Sequence, residues 1–268
     1  MNTAGAFQSL RSHWPEYLIE GWALGMFMVS AGVVGVLLDY PASPVNHAIS
    51  DATVRRVLGG LAMGLTAVAL IYSPWGQRSG AHMNPAVTLT FLRLGKIKRW
   101  DALFFALAQF VGGCLGVSLV AALLGEAFTQ APVSYVATMP GPGGPWIALA
   151  AEIAISALLM FTVLAVSNTP RLARFTGVFA GVLVALYISL EAPLSGMSMN
   201  PARSFASAVP AFMWHNFWIY VIAPVLGMLA GAQLFLLFKA RAHIGCAKLV
   251  HPDDQRCIHC GHEPRSPS

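Results

Sequence analysis

The sequence predicts an all-α membrane protein, with six transmembrane helices plus two re-entrant half-helices in an inverted repeat. Three observations lead there. Of the 268 residues, 56% are hydrophobic and only 10% charged, where a soluble domain carries about 25% charged residues. The mean hydropathy is +0.64. A chain this short of charge cannot cover a water-facing surface, so lipid is its main solvent. Apolar runs recur at membrane-spanning length, and the second half of the chain repeats features of the first.

A membrane helix needs about 20 apolar residues. Segments 17–38, 57–72, 102–124, 146–166, 175–190 and 217–238 meet or approach this; the second and fifth are short and borrow a turn from their flanks. Residues 1–16 lack the apolar stretch of a secretory signal, so the first span is expected to stay in the mature protein. Segments 85–94 and 201–209 are apolar and helix-like but too short to cross alone. The expected organisation is a terminal segment at 1–16, a channel-like domain at 17–238 with repeats at about 17–125 and 146–238, and a tail at 239–268.

Six spans put both termini on one side. That side carries Arg11, Arg78, Arg93, Lys96, Lys98, Arg99, Arg171, Arg174, Lys239, Arg241, Lys248, Arg256 and Arg265, against Arg55, Arg56 and Arg203 on the other. The bias places both termini in the cytoplasm of a multi-pass cell-membrane protein; the Arg55–Arg56 pair runs against it. The net charge of +5 comes from short loops and makes no groove-sized patch, which argues against a nucleic-acid partner.

The halves match in detail. Glu20 and Glu152 are each the only acid of their span. Gly60 and Gly64 in span two correspond to Gly177 and Gly181 in span five, and Gly112 and Gly116 in span three to Gly227 and Gly231 in span six. Small residues four apart let helices approach closely in lipid. Three spans per half invert the second half, which puts the functional site at the midplane between them.

The short segments open with Asn84-Pro85-Ala86 and Asn200-Pro201-Ala202. Asn is a favoured N-cap and Pro a favoured first helical residue, so each motif starts a helix. In an inverted repeat the two positive helix ends meet at one point. Each Asn carbonyl can cap its own helix and leave its amide as a donor to a passing oxygen, while the two helix ends disfavour cations.

With both motifs in place, the chain resembles the aquaporin (major intrinsic protein) family. The resemblance rests on Ser79-Gly80-Ala81-His82-Met83-Asn84-Pro85-Ala86-Val87-Thr88 and Met199-Asn200-Pro201-Ala202-Arg203-Ser204, and covers about 17–238. It implies a six-helix pore with two half-helices, one pore per subunit of a homotetramer, Glu20 and Glu152 as the buried glutamates that hold the half-helix loops, and no cofactor for transport. It further implies a selectivity filter at Met63, Ile188, Met197 and Arg203. Arg203 would repel cations and donate to a solute oxygen. Ile188 departs from the histidine of water-selective members and the glycine of glycerol facilitators, so Met63, Ile188 and Met197 make an apolar wall. Ser204, Ala208, Tyr220 and the short 191–199 loop lean toward the water type; Val221 does not. The expectation is a water channel, the alternative a channel for glycerol, ammonia, metalloid acid or hydrogen peroxide. A secondary transporter would need an ion-coupling acid at the midplane, and only Glu20 and Glu152 are available. A sensory membrane protein working through its tail is the remaining rival. No nucleophile–base pair is visible, so no enzyme is expected.

The tail holds three of the four cysteines on the expected cytoplasmic side, where disulfides are rare. Cys246, His251, Cys257 and Cys260, with His262 as an alternative to His251, have the ligand types and spacing of a structural zinc site. Free, redox-sensitive thiols are the competing reading. Cys114, mid-span, reads as a small apolar residue.

Overall fold

The computed structural model describes residues 3–238, 244–252 and 254–263. Lys239, Arg241 and Arg265, counted above for orientation, lie outside the described residues, as does the expected boundary at 239. The described chain is helical without strands, and six of its helices are long and apolar enough to cross a membrane. These are α1 (Thr3–Asp39), α2 (Ala52–Tyr72), α4 (Arg99–Leu124), α5 (Pro145–Ser167), α6 (Thr176–Leu190), which reaches span length with the helical turn from Ala173, and α8 (Ile219–Phe238). Between them lie the half-helices α3 (Pro85–Arg93) and α7 (Pro201–Ala211). Helix α1 runs on through Pro15 from Thr3, so the stretch expected to lead into the first span is itself helical.

The packing follows the inverted repeat. Helix α1 lies along α4 as α5 lies along α8, and α2 pairs with α6 across the centre. Each half-helix reaches into the other half: α7 packs on α4, and α3 on α8. Glycine makes these crossings close. A Cβ on Gly25 would stand 2.8 Å from the Gly112 carbonyl, and one on Gly64 would stand 2.5 Å from that of Gly181. Gly227 and Gly231 press in the same way on the backbone of Ile153 and Ala157. Without a hydrophobic drive between helices in lipid, such backbone proximity supplies the dispersion contact. The outward faces carry Leu65, Leu115, Leu123, Val182, Leu226 and Leu237, a surface suited to acyl chains.

The two ends of the bundle are tied differently. At the end nearer the termini, Arg78 meets Glu16 at 3.0 Å, and Asp101 accepts from the Tyr17 hydroxyl at 2.6 Å and contacts His13 at 2.8 Å. At the far end, Arg55 donates to the carbonyls of Ile49 and Ser50, and Arg56 to that of Ser189. The pair that breaks the charge trend therefore caps two loop carbonyls and one at the end of α6.

Candidate functional site

The site is built on two buried carboxylates. Glu20 accepts from the Ser79 hydroxyl (2.7 Å), the His82 and Met83 amides (3.0 and 2.6 Å) and the Gln109 side chain (2.8 Å). Glu152 accepts from the Ser195 hydroxyl (2.9 Å) and from the Ser198 and Met199 amides, the last at 2.7 Å. Hydrogen bonds to a charged acceptor contribute about 1.5–3 kcal/mol each. They hold a strained backbone: φ is positive at Gly80, Ala81 and Met83, and again at Gly196, Met197 and Met199. The left-handed region costs a non-glycine residue about 1–2 kcal/mol. The same bend, with the same serine and backbone donors, precedes both half-helices, and Gln109 is added in the first.

Each bend ends at an asparagine. The Asn84 carbonyl oxygen accepts from the Ala86 amide at 2.9 Å, and that of Asn200 from Ala202 and Arg203 at 3.1 and 3.2 Å. Their amides cross over: Asn84 Nδ2 donates to the Met199 carbonyl and Asn200 Nδ2 to that of Met83, both at 2.7 Å. The sequence anticipates the caps but not this exchange. One N–H of each amide is spent on the opposite half, and a second remains.

Both asparagines line an elongated cavity of about 480 Å³. Gly59, Met63, Ala67 and Ile71 of α2 form one wall and Ala180, Val184 and Ile188 of α6 the other. These are i, i+4 rows, and they place Met63 on the cavity face. Met197 and Arg203 line it too, so the four expected filter positions share one space with the two motifs. Arg203 Nη1 is buried and has no hydrogen-bond partner among the described residues. Pro85, Ala86, Pro201 and Ala202 open α3 and α7 and sit behind the asparagines. Tyr220 lies off the cavity, donating to the Ser195 carbonyl at 2.6 Å, and Ser204 bonds Thr138 at 2.6 Å. Both brace the second bend.

The tail brings together the four ligands that the sequence marks, with His251 rather than His262 among them. Cys246, His251, Cys257 and Cys260 converge, their ligand atoms all within 4.8 Å of one another. Cys246 Sγ is 3.4 Å from Cys257 Sγ, and His251 Nε2 is 3.2 Å from Cys260 Sγ. Tetrahedral thiolates about 2.3 Å from zinc stand about 3.8 Å apart, so the set fits. His262 falls outside this group, its ring edge-on to His251. The hydrogen bond between the two sulfurs holds the Cys257 thiol well below the usual range and raises Cys246. Seated on the bend before α3, the tail brings Leu249 onto the cavity wall. His82, Leu249, Arg55 and Arg56 are among the wall residues that sequence reasoning left unassigned; of these four, only the misplaced arginine pair left a signal in the sequence.

The family profile described as Major intrinsic protein matches residues 8–235. The chain belongs to the major intrinsic protein family. Among curated relatives, it is 36% identical over 179 residues to a probable NIP-type aquaporin of Nicotiana alata, covering 66% of this chain and 64% of that one. It is 35% identical over 207 residues to aquaporin NIP2-3 of Zea mays, covering 77% and 65%. The chain thus spans just under two thirds of the length of these relatives. The structure of the aquaglyceroporin from Plasmodium falciparum superposes with a TM-score of 0.68 at 20% identity, covering 84% of this chain and 96% of that one, which establishes the shared fold. The major intrinsic protein match ends at residue 235, so the Cys/His knot lies beyond it.

Proposed function

We propose that this chain is a passive water channel. The observation that carries the reading is one cavity lined by Asn84, Asn200 and Arg203 together, at the N-terminal ends of two half-helices. Partial positive charge at both helix ends, with the Arg203 guanidinium, raises the energy of any cation there. A water oxygen accepts from the remaining asparagine N–H groups and from Arg203, and so keeps hydrogen bonds as it sheds its neighbours. The motifs Asn84-Pro85-Ala86 and Asn200-Pro201-Ala202 hold the donors, and Met63, Ile188 and Met197 with Arg203 set the width. No step breaks a covalent bond, so no cofactor is required.

One observation favours a second reading. Met63, Ile188 and Met197 oppose Arg203 with apolar, deformable surface, which suits small neutral solutes such as glycerol, ammonia, metalloid acids or hydrogen peroxide. Stopped-flow light scattering on proteoliposomes decides between them. Fast shrinkage in an impermeant osmolyte without glycerol entry supports water; glycerol entry overturns it.

The protein works in this reading as a homotetramer in the cell membrane with both termini cytoplasmic. Its tail carries a structural zinc ion on Cys246, His251, Cys257 and Cys260. Metal analysis of the purified chain tests the last point: about one zinc per chain is expected, with loss in a C257S/C260S variant.

A further inference from the structure

We propose that the metal-organised tail is a stopper for the cavity mouth nearest the termini. The proposal rests on the zinc reading above and goes beyond it.

The tail docks on the bend that Glu20 holds, and the Gly245 amide adds a bond to Asn168 Oδ1 at 3.0 Å. His82 Nε2 donates to the Ala247 carbonyl at 2.8 Å, the Leu249 amide to the Gly80 carbonyl at 3.2 Å, and His259 Nε2 to the Ser79 carbonyl at 2.8 Å. The imidazoles of His82 and His259 stack at 5.8 Å, with Phe105 edge-on to both. The equivalent bend in the second half is covered by other chain, the Gly141 amide donating to the Leu194 carbonyl at 2.9 Å and the Tyr220 hydroxyl to that of Ser195 at 2.6 Å, and Ser198, which stands where His82 does, bonds Asn200 and Ser204. His82 reaches outward.

What docks is apolar. Ile244, Ala247 and Leu249 are buried in the same cluster as the wall residues Ile71, Val87 and Val184, and Leu249 lines the cavity itself. The charge next to it is turned aside, since Lys248 is buried with its ammonium toward the Arg256 carbonyl at 3.4 Å. An isopropyl group at the mouth offers water no hydrogen bond, and a hydrophobic constriction closes a pore by dewetting.

The ligands are placed to control this. Cys246 and His251 bracket the strip that carries Ala247 and Leu249, and Cys257 and Cys260 bracket His259. One ion on all four fixes both docking strips against each other. The described tail has no helix or strand of its own, and segments that small hold a shape through their metal. The docked state has the four ligands assembled and so binds metal more tightly than an undocked one, which makes metal binding and closure mutually reinforcing. Thiolate and imidazole ligands suit zinc.

The test uses the full chain in proteoliposomes, with zinc content and water permeability measured on the same preparation. Three samples are compared: the zinc-loaded protein, the same protein stripped with a membrane-permeant chelator, and the Leu249→Gly variant kept in zinc. Severalfold higher permeability in both altered samples, with zinc retained in Leu249→Gly and closure restored by added zinc after stripping, is the expected result. Equal permeability in all three, with zinc found in the two unstripped samples, would overturn the stopper and leave the zinc site standing. Absence of bound zinc would overturn both. No flux in any sample, the opened ones included, would overturn the stopper as the cause of closure and the water reading with it.

Discussion

Arg203 shares the cavity with three side chains that are largely apolar, Met63, Ile188 and Met197. That imbalance makes position 188 the most informative to change. Ile188→Gly removes the branched wall without touching a hydrogen bond, and is expected to admit glycerol severalfold faster while water flux is retained, read by stopped-flow light scattering with each solute. Glu152 is the opposite case. Its carboxylate satisfies Ser195, Ser198 and Met199 together, and leaving such buried donors unmatched costs about 1–3 kcal/mol each. Glu152→Ala is therefore expected to lose about 3 kcal/mol or more and to abolish flux, with a lowered melting temperature in detergent as the readout. Both glutamates and both asparagines are legible in the sequence, because an acid alone in an apolar span and a repeated helix start are rare local signals. The wall role of His82 is not, because only the docked tail gives that ring its partner.

At the scale of elements, the helix crossings depend on where there is no side chain. Gly112 sits against the backbone of Gly21, and backbone cannot rotate out of the way. Gly112→Leu is expected to separate α1 from α4 at a cost of about 3 kcal/mol, seen as loss of the monodisperse peak in size-exclusion chromatography. The spacing of glycines in α4 and α8 was readable, but their partners were not: Gly21 and Gly25 repeat the same interval in α1, yet nothing local says which helix they face. The start of α2 supplies a pH test. Asp51 caps it by accepting from the Thr53 and Val54 amides at 2.7 and 3.1 Å, and these bonds, that of Val54 first, hold its carboxylate below the usual range. A lowered carboxylate contributes stability above its unfolded value and loses it as pH falls through the folded one. Amide exchange at Thr53 and Val54, corrected for intrinsic rate, is expected to quicken as the solution is acidified through that range.

At the scale of the molecule, the inverted repeat was readable from spans and motifs, and the bundle has the topology those imply. The tail was readable only as ligands. Its seat on the bend before α3 joins residues more than 160 apart in the chain, as between His82 and Ala247, and no periodicity encodes such a contact. Orientation has a direct check: a reporter fused after Ser268 that is active only in the cytoplasm is expected to be active, and one that needs export to be silent.

The exchanged amides of Asn84 and Asn200 bear on how such a chain holds together. Each half offers the other a donor and a carbonyl in the same arrangement, which is the logic of a symmetric dimer, where a patch meets its own rotated copy. Half a chain would leave its asparagine amide and its Met83 or Met199 carbonyl without that partner. The natural cure is an inverted twin, and the covalent link between the halves makes that twin permanently available.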